Sequence, residues 1–310
     1  MKLISIIFSF KNEEKILPDL INRVKKSLSK LNGWTYELIF VNDASTDKSE
    51  EVLTNLQKDT KIKIINMTRT FGIGPCVMAG FKYAKGDVII YMDSDLQDPP
   101  ELIPDLINEY EKGNDIVHTV RSKRLGESKF KLLITKIAYK IINFLSDIPM
   151  PIEAGDFKLI SKKALEKILK QKEFRPYIRG LSVWVGYKQS FVNYVREARH
   201  SGKTKFPLFG PGPVYQFISG VTAYSLKPLY IGIILGFFSF IIAIGIIVYS
   251  LYLKINNFAV PGSSGILVTV SFFSGAILLT LGVIGIYIAR IFEEVRGRES
   301  YIIKDIKDYN

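Results

Sequence analysis

The 310-residue chain contains one cysteine, Cys76, and two histidines, His118 and His200. A single thiol excludes an internal disulfide and a zinc site built from cysteines, and two histidines so far apart make a histidine-rich metal centre a poor fit. Charge is missing where a soluble protein would carry it. No charged residue occurs from 228 to 253 or from 255 to 289, which argues against a purely soluble protein. There is no internal repeat and no low-complexity tract. Residues 1–10 are apolar like a secretory leader. The run is short, however, and Lys11-Asn12-Glu13-Glu14 follows without a small-residue cleavage site, so it reads as a first β-strand.

What is present is globular in kind. Hydrophobic residues make up 47% and charged residues 23%, which excludes a disordered or collagen-like chain. Lys and Arg number 42 against 30 Asp and Glu, a net charge of +12. Such an excess suits nucleic acid, anionic lipid or a phosphate-bearing substrate, and charge alone does not choose among them.

Apolar β-branched runs predict strands at 3–10, 36–41, 62–66, 88–92 and 115–120. Helical spacing predicts helices at 13–31, 49–57, 75–84 and 100–110. This alternation predicts an α/β domain with a mostly parallel sheet flanked by helices, whose ligands sit beyond the carboxyl ends of the strands. Asp43 and the pair Asp93/Asp95 fall at such ends. Residues 128–145 form a basic amphipathic helix. Phe130, Leu133, Ile134, Ile137 and Ile141 lie on one stripe, with Lys129, Lys136 and Lys140 on another face. It is either a surface helix with solvated lysines or one resting on a bilayer. The basic stretch 175–205 would likewise sit near anionic headgroups.

The segments 228–253 and 266–289 are each long enough to span about 30 Å of hydrocarbon. Basic residues precede the first and follow the second, which places both chain ends in the cytoplasm and the short loop outside. The expected division is a globular domain at 1–205, an interfacial juxtamembrane segment at 206–227, a two-helix hairpin at 228–289 and a cytoplasmic tail at 290–310.

Asp93-Ser94-Asp95 ends a buried strand and leads into Leu96-Gln97-Asp98-Pro99-Pro100. Two carboxylates one residue apart can hold a hard divalent cation, Mg²⁺ or Mn²⁺, together with the phosphates of a substrate. Alone the pair is a weak signal; at a strand end, beside a second strand ending in Asp43, it is strong.

These blocks, with Gly155-Asp156-Phe157-Lys158-Leu159, Trp184-Val185-Gly186, the Arg199–Lys205 stretch and the tail 288–298, resemble glycosyltransferase family 2. Within it the chain is similar to the polyprenyl-phosphate glycosyltransferases, which include undecaprenyl-phosphate glucosyltransferases and dolichyl-phosphate mannose synthases. The resemblance implies a GT-A fold and inverting transfer of a sugar from a nucleotide-sugar to a polyprenyl phosphate at the cytoplasmic face of a bacterial membrane. UDP-glucose is the favoured donor, with UDP-N-acetylglucosamine and GDP-mannose as alternatives. By the same resemblance Asn12, Glu13 and Asp43 contact the nucleoside side of the donor. Asp93, Asp95 and Gln97 surround a Mg²⁺ or Mn²⁺ ion and the diphosphate, which Arg199 also reaches. Arg121, Lys131 and Thr135 face the acceptor phosphate, and Asp156 stands at the position of the family's proposed acid/base. Related members suggest a homo-oligomer, a tetramer in kind, and Gly232, Gly236, Gly275, Gly282 and Gly285 would permit close helix packing between or within hairpins.

Three departures touch substrate contacts. Ser9-Phe10-Lys11 stands where the family often has Pro-x-Tyr/Phe, and Asn42-Asp43 where many members have paired aspartates. Residue 131 is Lys, without bidentate phosphate recognition. A phosphate monoester, with a second pKa near about 6, is already a dianionic nucleophile at neutral pH, so Asp156 is expected to position the acceptor at least as much as it removes a proton. Among the rivals, a processive polysaccharide synthase needs more spans and a Gln-x-x-Arg-Trp motif that the chain lacks. A non-catalytic nucleotide-binding scaffold would have no need of the full carboxylate set. The basic residues form no recognisable nucleic-acid motif.

Overall fold

The structure, a computed structural model, describes residues 1–58, 60–124, 129–151, 153–171, 173–196, 210–256 and 263–309. Among these, β1 (Lys2–Phe10), β2 (Trp34–Asn42), β3 (Ile62–Met67) and β4 (Val88–Asp93) are parallel, with β1 at the centre between β2 and β4. Helices α1 (Leu17–Leu28), α2 (Ser49–Leu56) and α3 (Ile73–Tyr83) provide the crossovers. Both faces of β1 are covered. Ile4, Ile6 and Phe8 pack on the α1 side and Ile7 on the α3 side, all fully buried. That two-sided burial is why apolar residues fill most of the strand instead of alternating, with Ser5 and Ser9 interrupting them.

Beyond β4 the chain forms α4 (Ile103–Glu111), β5 (Ile116–Arg124), α5 (Lys129–Leu145), β6 (Ala154–Ser161), α6 (Lys162–Leu169), α7 (Ile178–Trp184) and β7 (Gln189–Arg196). β6 runs antiparallel between β4 and β5, and β7 pairs parallel with β5. Then follow α8 (Pro211–Thr222), α9 (Lys227–Ile255), α10 (Ser263–Val295) and β8 (Ile303–Lys307). The sheet order is β7-β5-β6-β4-β1-β2-β3-β8. It is a mostly parallel, helix-flanked sheet of the GT-A kind followed by two long apolar helices.

Some boundaries differ from the sequence reading. The first helix starts at Leu17 with Pro18 in its first turn, because residues 13–16 form a turn that places Glu13 at the strand ends. The helix expected at 100–110 opens as a 3-10 turn over Pro100–Leu102, where consecutive prolines leave no amide donors. The two apolar helices run past their expected limits, α10 by six residues beyond 289. The tail also holds a strand. β8 pairs antiparallel with β3, and the amide of Thr68 donates to the Ile302 carbonyl at 3.1 Å.

Within α9 and α10, Lys227–Tyr249 and Phe272–Val295 have mean hydropathies of 2.9 and 2.2. At 23 and 24 residues each covers roughly 35 Å, enough to cross a membrane. They lie almost wholly outside the protein core. A methyl group at Gly232 would meet Thr280 across the hairpin, while one at Gly236, Gly275, Gly282 or Gly285 would enter open space. The end of α10 ties back to the domain. Arg290 donates to Thr222 at 2.7 Å, Glu294 accepts from the Phe174 amide at 2.9 Å, and Glu293 pairs with Arg175 at 2.9 Å.

Candidate active site

The register places Ser9 beside Asp93 and Phe10 beside Asn42, so the carboxyl ends of β1, β2 and β4 open at one level. They open into a cavity of about 670 Å³, whose lining includes Lys11, Glu13, Asp43, Asp93, Asp95 and Asp156. Segment 174–179 and Glu299-Ser300 form much of the opposite wall.

The β2 end is pre-shaped. Asn12 and Ala44 adopt left-handed backbone conformations, φ 57° and 54°. The Asn12 side chain accepts from the Thr46 amide at 2.8 Å, and its own amide donates to Ser45 Oγ at 3.0 Å. Asp43 accepts the amides of Phe71 and Gly72 at 2.7 and 3.1 Å, fixing the loop before α3. Gly72 has φ +92°, a conformation that L side chains rarely adopt. Asn42 donates to Asn66, which donates to Asp305 of β8 at 2.7 Å, so the tail strand braces the loop that carries Asp43.

At the β4 end, Asp93 Oδ1 accepts from the Tyr91 hydroxyl at 3.0 Å. Burial, then the charges of Asp156, Asp95 and Asp98, push its carboxyl up to about 7, against the pull of Arg121. Leu96 takes a left-handed conformation (φ 56°) and turns the chain so that Asp95 Oδ1 accepts the Gln97 amide at 3.2 Å. Crowded carboxylates that favour a proton also favour a cation. Among the described residues no group of three His, Cys, Asp or Glu side chains could by itself hold a metal. Asp93 and Asp95 alone supply only part of a ligand set; their carboxylate oxygens are of the type Mg²⁺ and Mn²⁺ take, with the remaining positions left for phosphate and water. Gln97 does not line the cavity.

Asp156 is paired with a residue the sequence reading did not single out. Arg179 on α7 donates to both its oxygens, Nε to Oδ1 at 2.7 Å and Nη2 to Oδ2 at 2.5 Å. Arg179 Nη1 also reaches the Tyr139 hydroxyl of α5 at 2.6 Å. Burial works to raise the Asp156 carboxyl; Arg179, Lys158 and Arg121 outweigh it and hold it well below the usual carboxylate range. Lys158, one strand step below, is buried, donates to Ser182 at 3.1 Å, and is lowered to about 8 by that burial.

Arg121 is placed elsewhere. Its side chain is 6% exposed, with Nε on the Tyr194 hydroxyl at 3.0 Å and Nη2 3.7 Å from Asp98. Tyr194 also bonds the fully buried Asp98, and Arg196 lies 3.6 Å from it. Arg121 is thus held in a buried network and does not line the cavity. Thr135 is half-buried on α5. The Lys131 side chain and Arg199 lie outside the described residues.

A mostly parallel sheet with acidic strand ends opening on one cavity, followed by two apolar helices, is an arrangement of the GT-A kind. Residues 5–169 match the family described as "Glycosyl transferase family 2", and the chain belongs to that family. It is 39% identical over 306 residues to "Uncharacterized glycosyltransferase YkcC" of Bacillus subtilis (strain 168), covering 97% of this chain and 93% of that one. It is 34% identical to "Prophage bactoprenol glucosyl transferase homolog" of Escherichia coli (strain K12), covering 98% and 99%. The "Bactoprenol glucosyl transferase" of Shigella phage SfII is also 34% identical, covering 97% of each. Among solved structures, Mycobacterium tuberculosis glucosyl-3-phosphoglycerate synthase in complex with Mn²⁺, UDP and phosphoglyceric acid is similar with a TM-score of 0.49 and 17% identity, covering 72% of this chain and 78% of that one.

Proposed function

We propose that the chain transfers glucose from UDP-glucose to undecaprenyl phosphate, with inversion, at the cytoplasmic face of a bacterial membrane. The observation that carries this reading is the near full-length match, hairpin included, to relatives named bactoprenol glucosyl transferase. The cavity agrees with it in size and chemistry, and the two apolar helices would hold the enzyme in the bilayer where a polyprenyl chain resides. Helix α5 supports the same placement. Leu133, Ile137, Ile141 and Phe144 form an exposed apolar stripe, suited to a bilayer surface.

In this reading Asn12, Glu13 and Asp43 hold the nucleoside side of the donor, and Asp93 with Asp95 hold Mg²⁺ or Mn²⁺. When bound, the cation offsets charge on the departing diphosphate. The acceptor phosphate oxygen attacks the anomeric carbon from the face opposite the diphosphate. The new carbon–oxygen bond forms as the old one breaks, and the electron pair leaves with UDP. The acceptor is already dianionic, so no proton has to be removed. Asp156, locked by Arg179, shapes the field around the reacting atoms and is not the base.

Calorimetry on the full chain in detergent, with Mn²⁺ and either UDP or GDP, tests the donor assignment. UDP should bind at least tenfold more tightly than GDP, and Asp95→Asn should weaken UDP by a similar factor. Tighter binding of GDP would contradict a UDP-sugar donor.

A further inference from the structure

We infer that Arg179, with Tyr139, forms a cationic seat for the acceptor phosphate; this rests on the polyprenyl-phosphate reading above. Arg179 lines the cavity, and its side chain remains 20% exposed. Its guanidinium stands between Asp156 on β6 and Tyr139 on α5. Arginine presents five N–H groups in a planar fork that matches phosphate oxygens. Three of these already go to Asp156 and Tyr139, so the plane is fixed before substrate arrives.

Arg121 does not compete for this role. It is more deeply buried, is bound to Tyr194 and Asp98, and does not line the cavity. Moving it to a phosphate would leave the buried Asp98 carboxylate without that partner, at a cost typical of a broken buried ion pair.

The helix that supplies Tyr139 has two distinct faces. Thr135 lies one turn before Tyr139 on the same face, and the exposed stripe Leu133, Ile137, Ile141 and Phe144 lies on the opposite face of the helix. The pairing with Asp156 would weaken as the phosphate shares the guanidinium, which couples acceptor arrival to the charge at the reacting centre.

The test uses the full chain in detergent with farnesyl phosphate and farnesol as matched short probes. The readout is the ratio of their affinities, since only the phosphate-dependent part reports on the seat. The wild-type chain should prefer the phosphate at least tenfold. Arg179→Gln should abolish the preference, Arg179→Lys should restore part of it, and Tyr139→Phe should reduce it about threefold. A cooperative thermal melt close to that of the wild type in the same variants shows that the fold is kept. A preference that survives Arg179→Gln would overturn the inference and leave the acceptor reading intact. No preference in the wild-type chain would overturn both.

Discussion

Replacing Asp156 with Asn removes one charge and keeps the shape of the side chain. In the structure both Asp156 oxygens accept from Arg179, at 2.7 and 2.5 Å. Asparagine keeps one acceptor and turns an amide toward the guanidinium, so one charge-assisted bond is lost, roughly 1.5–3 kcal/mol before screening. The pair is 20% exposed on each side, which screens part of that loss and leaves about 1–2 kcal/mol. The melting temperature should fall by roughly 2–5 °C. If the same energy is felt in the transition state, kcat/KM for the acceptor falls about 5- to 30-fold. Loss of a general base would cost roughly 10²- to 10⁴-fold. The pH profile separates the two. Asp156 is held well below the usual carboxylate range, so it does not titrate near neutrality. With Mg²⁺ or Mn²⁺ saturating, so that Asp93 stays ionised, the acid limb should follow the acceptor phosphate, near about 6, in both proteins. The assay is acceptor kcat/KM from pH 5 to 8, with UDP affinity as the folding control. A thousandfold loss together with disappearance of the acid limb, in a variant that still binds UDP, would refute the positioning role.

Three further outcomes follow from the same geometry. His118 is buried, bonds Gln189 at 2.8 Å, and is lowered to about 3 by burial and by Lys158. Its folded pKa lies below its unfolded value of about 6.5, so the unfolded chain takes the proton first and stability falls as pH drops from about 6.5 toward 3. The slope approaches about 1.4 kcal/mol per pH unit, and thermal melts of His118→Gln between pH 7 and 5 should be flatter than those of the wild type. Cys76 is buried, and burial together with Asp43 raises its thiol well above the usual range. Iodoacetamide at pH 8 should leave it unlabelled until the protein is unfolded. A methyl group at Gly180 would overlap the Tyr224 ring. Gly180→Ala should therefore cost about 1–3 kcal/mol in a melt and lower transfer, because α7 carries Arg179.

The first half of the domain was legible in the sequence because its parallel strands are buried on both faces. Strands such as Ile4–Phe8, broken only by the buried Ser5, and Val88–Met92 are then near-continuous apolar runs. The strand ends followed from the same pattern, which is why Asp43, Asp93 and Asp95 could be placed at one level. Edge strands gave no such signal. β7 is only partly buried along most of its length, and β8 is the charged pentapeptide Ile303–Lys307, whose identity as a strand comes from a partner more than two hundred residues away. Arg179 sits in a basic, aromatic stretch that reads as solvated charge near headgroups. Only its fold-dependent approach to Asp156 and Tyr139 marks it. Arg121 failed in the opposite direction: nothing local shows that Asp98 and Tyr194 enclose it.

Purified full-length protein in detergent, given undecaprenyl phosphate, Mg²⁺ or Mn²⁺ and labelled UDP-glucose, tests the central claim most directly. Label should pass into the organic phase, and the transfer should be lost on chelation and in Asp95→Asn. If the chain binds UDP but label stays in the aqueous phase with UDP-glucose, UDP-N-acetylglucosamine and GDP-mannose alike, the assignment of sugar transfer to a polyprenyl phosphate is contradicted.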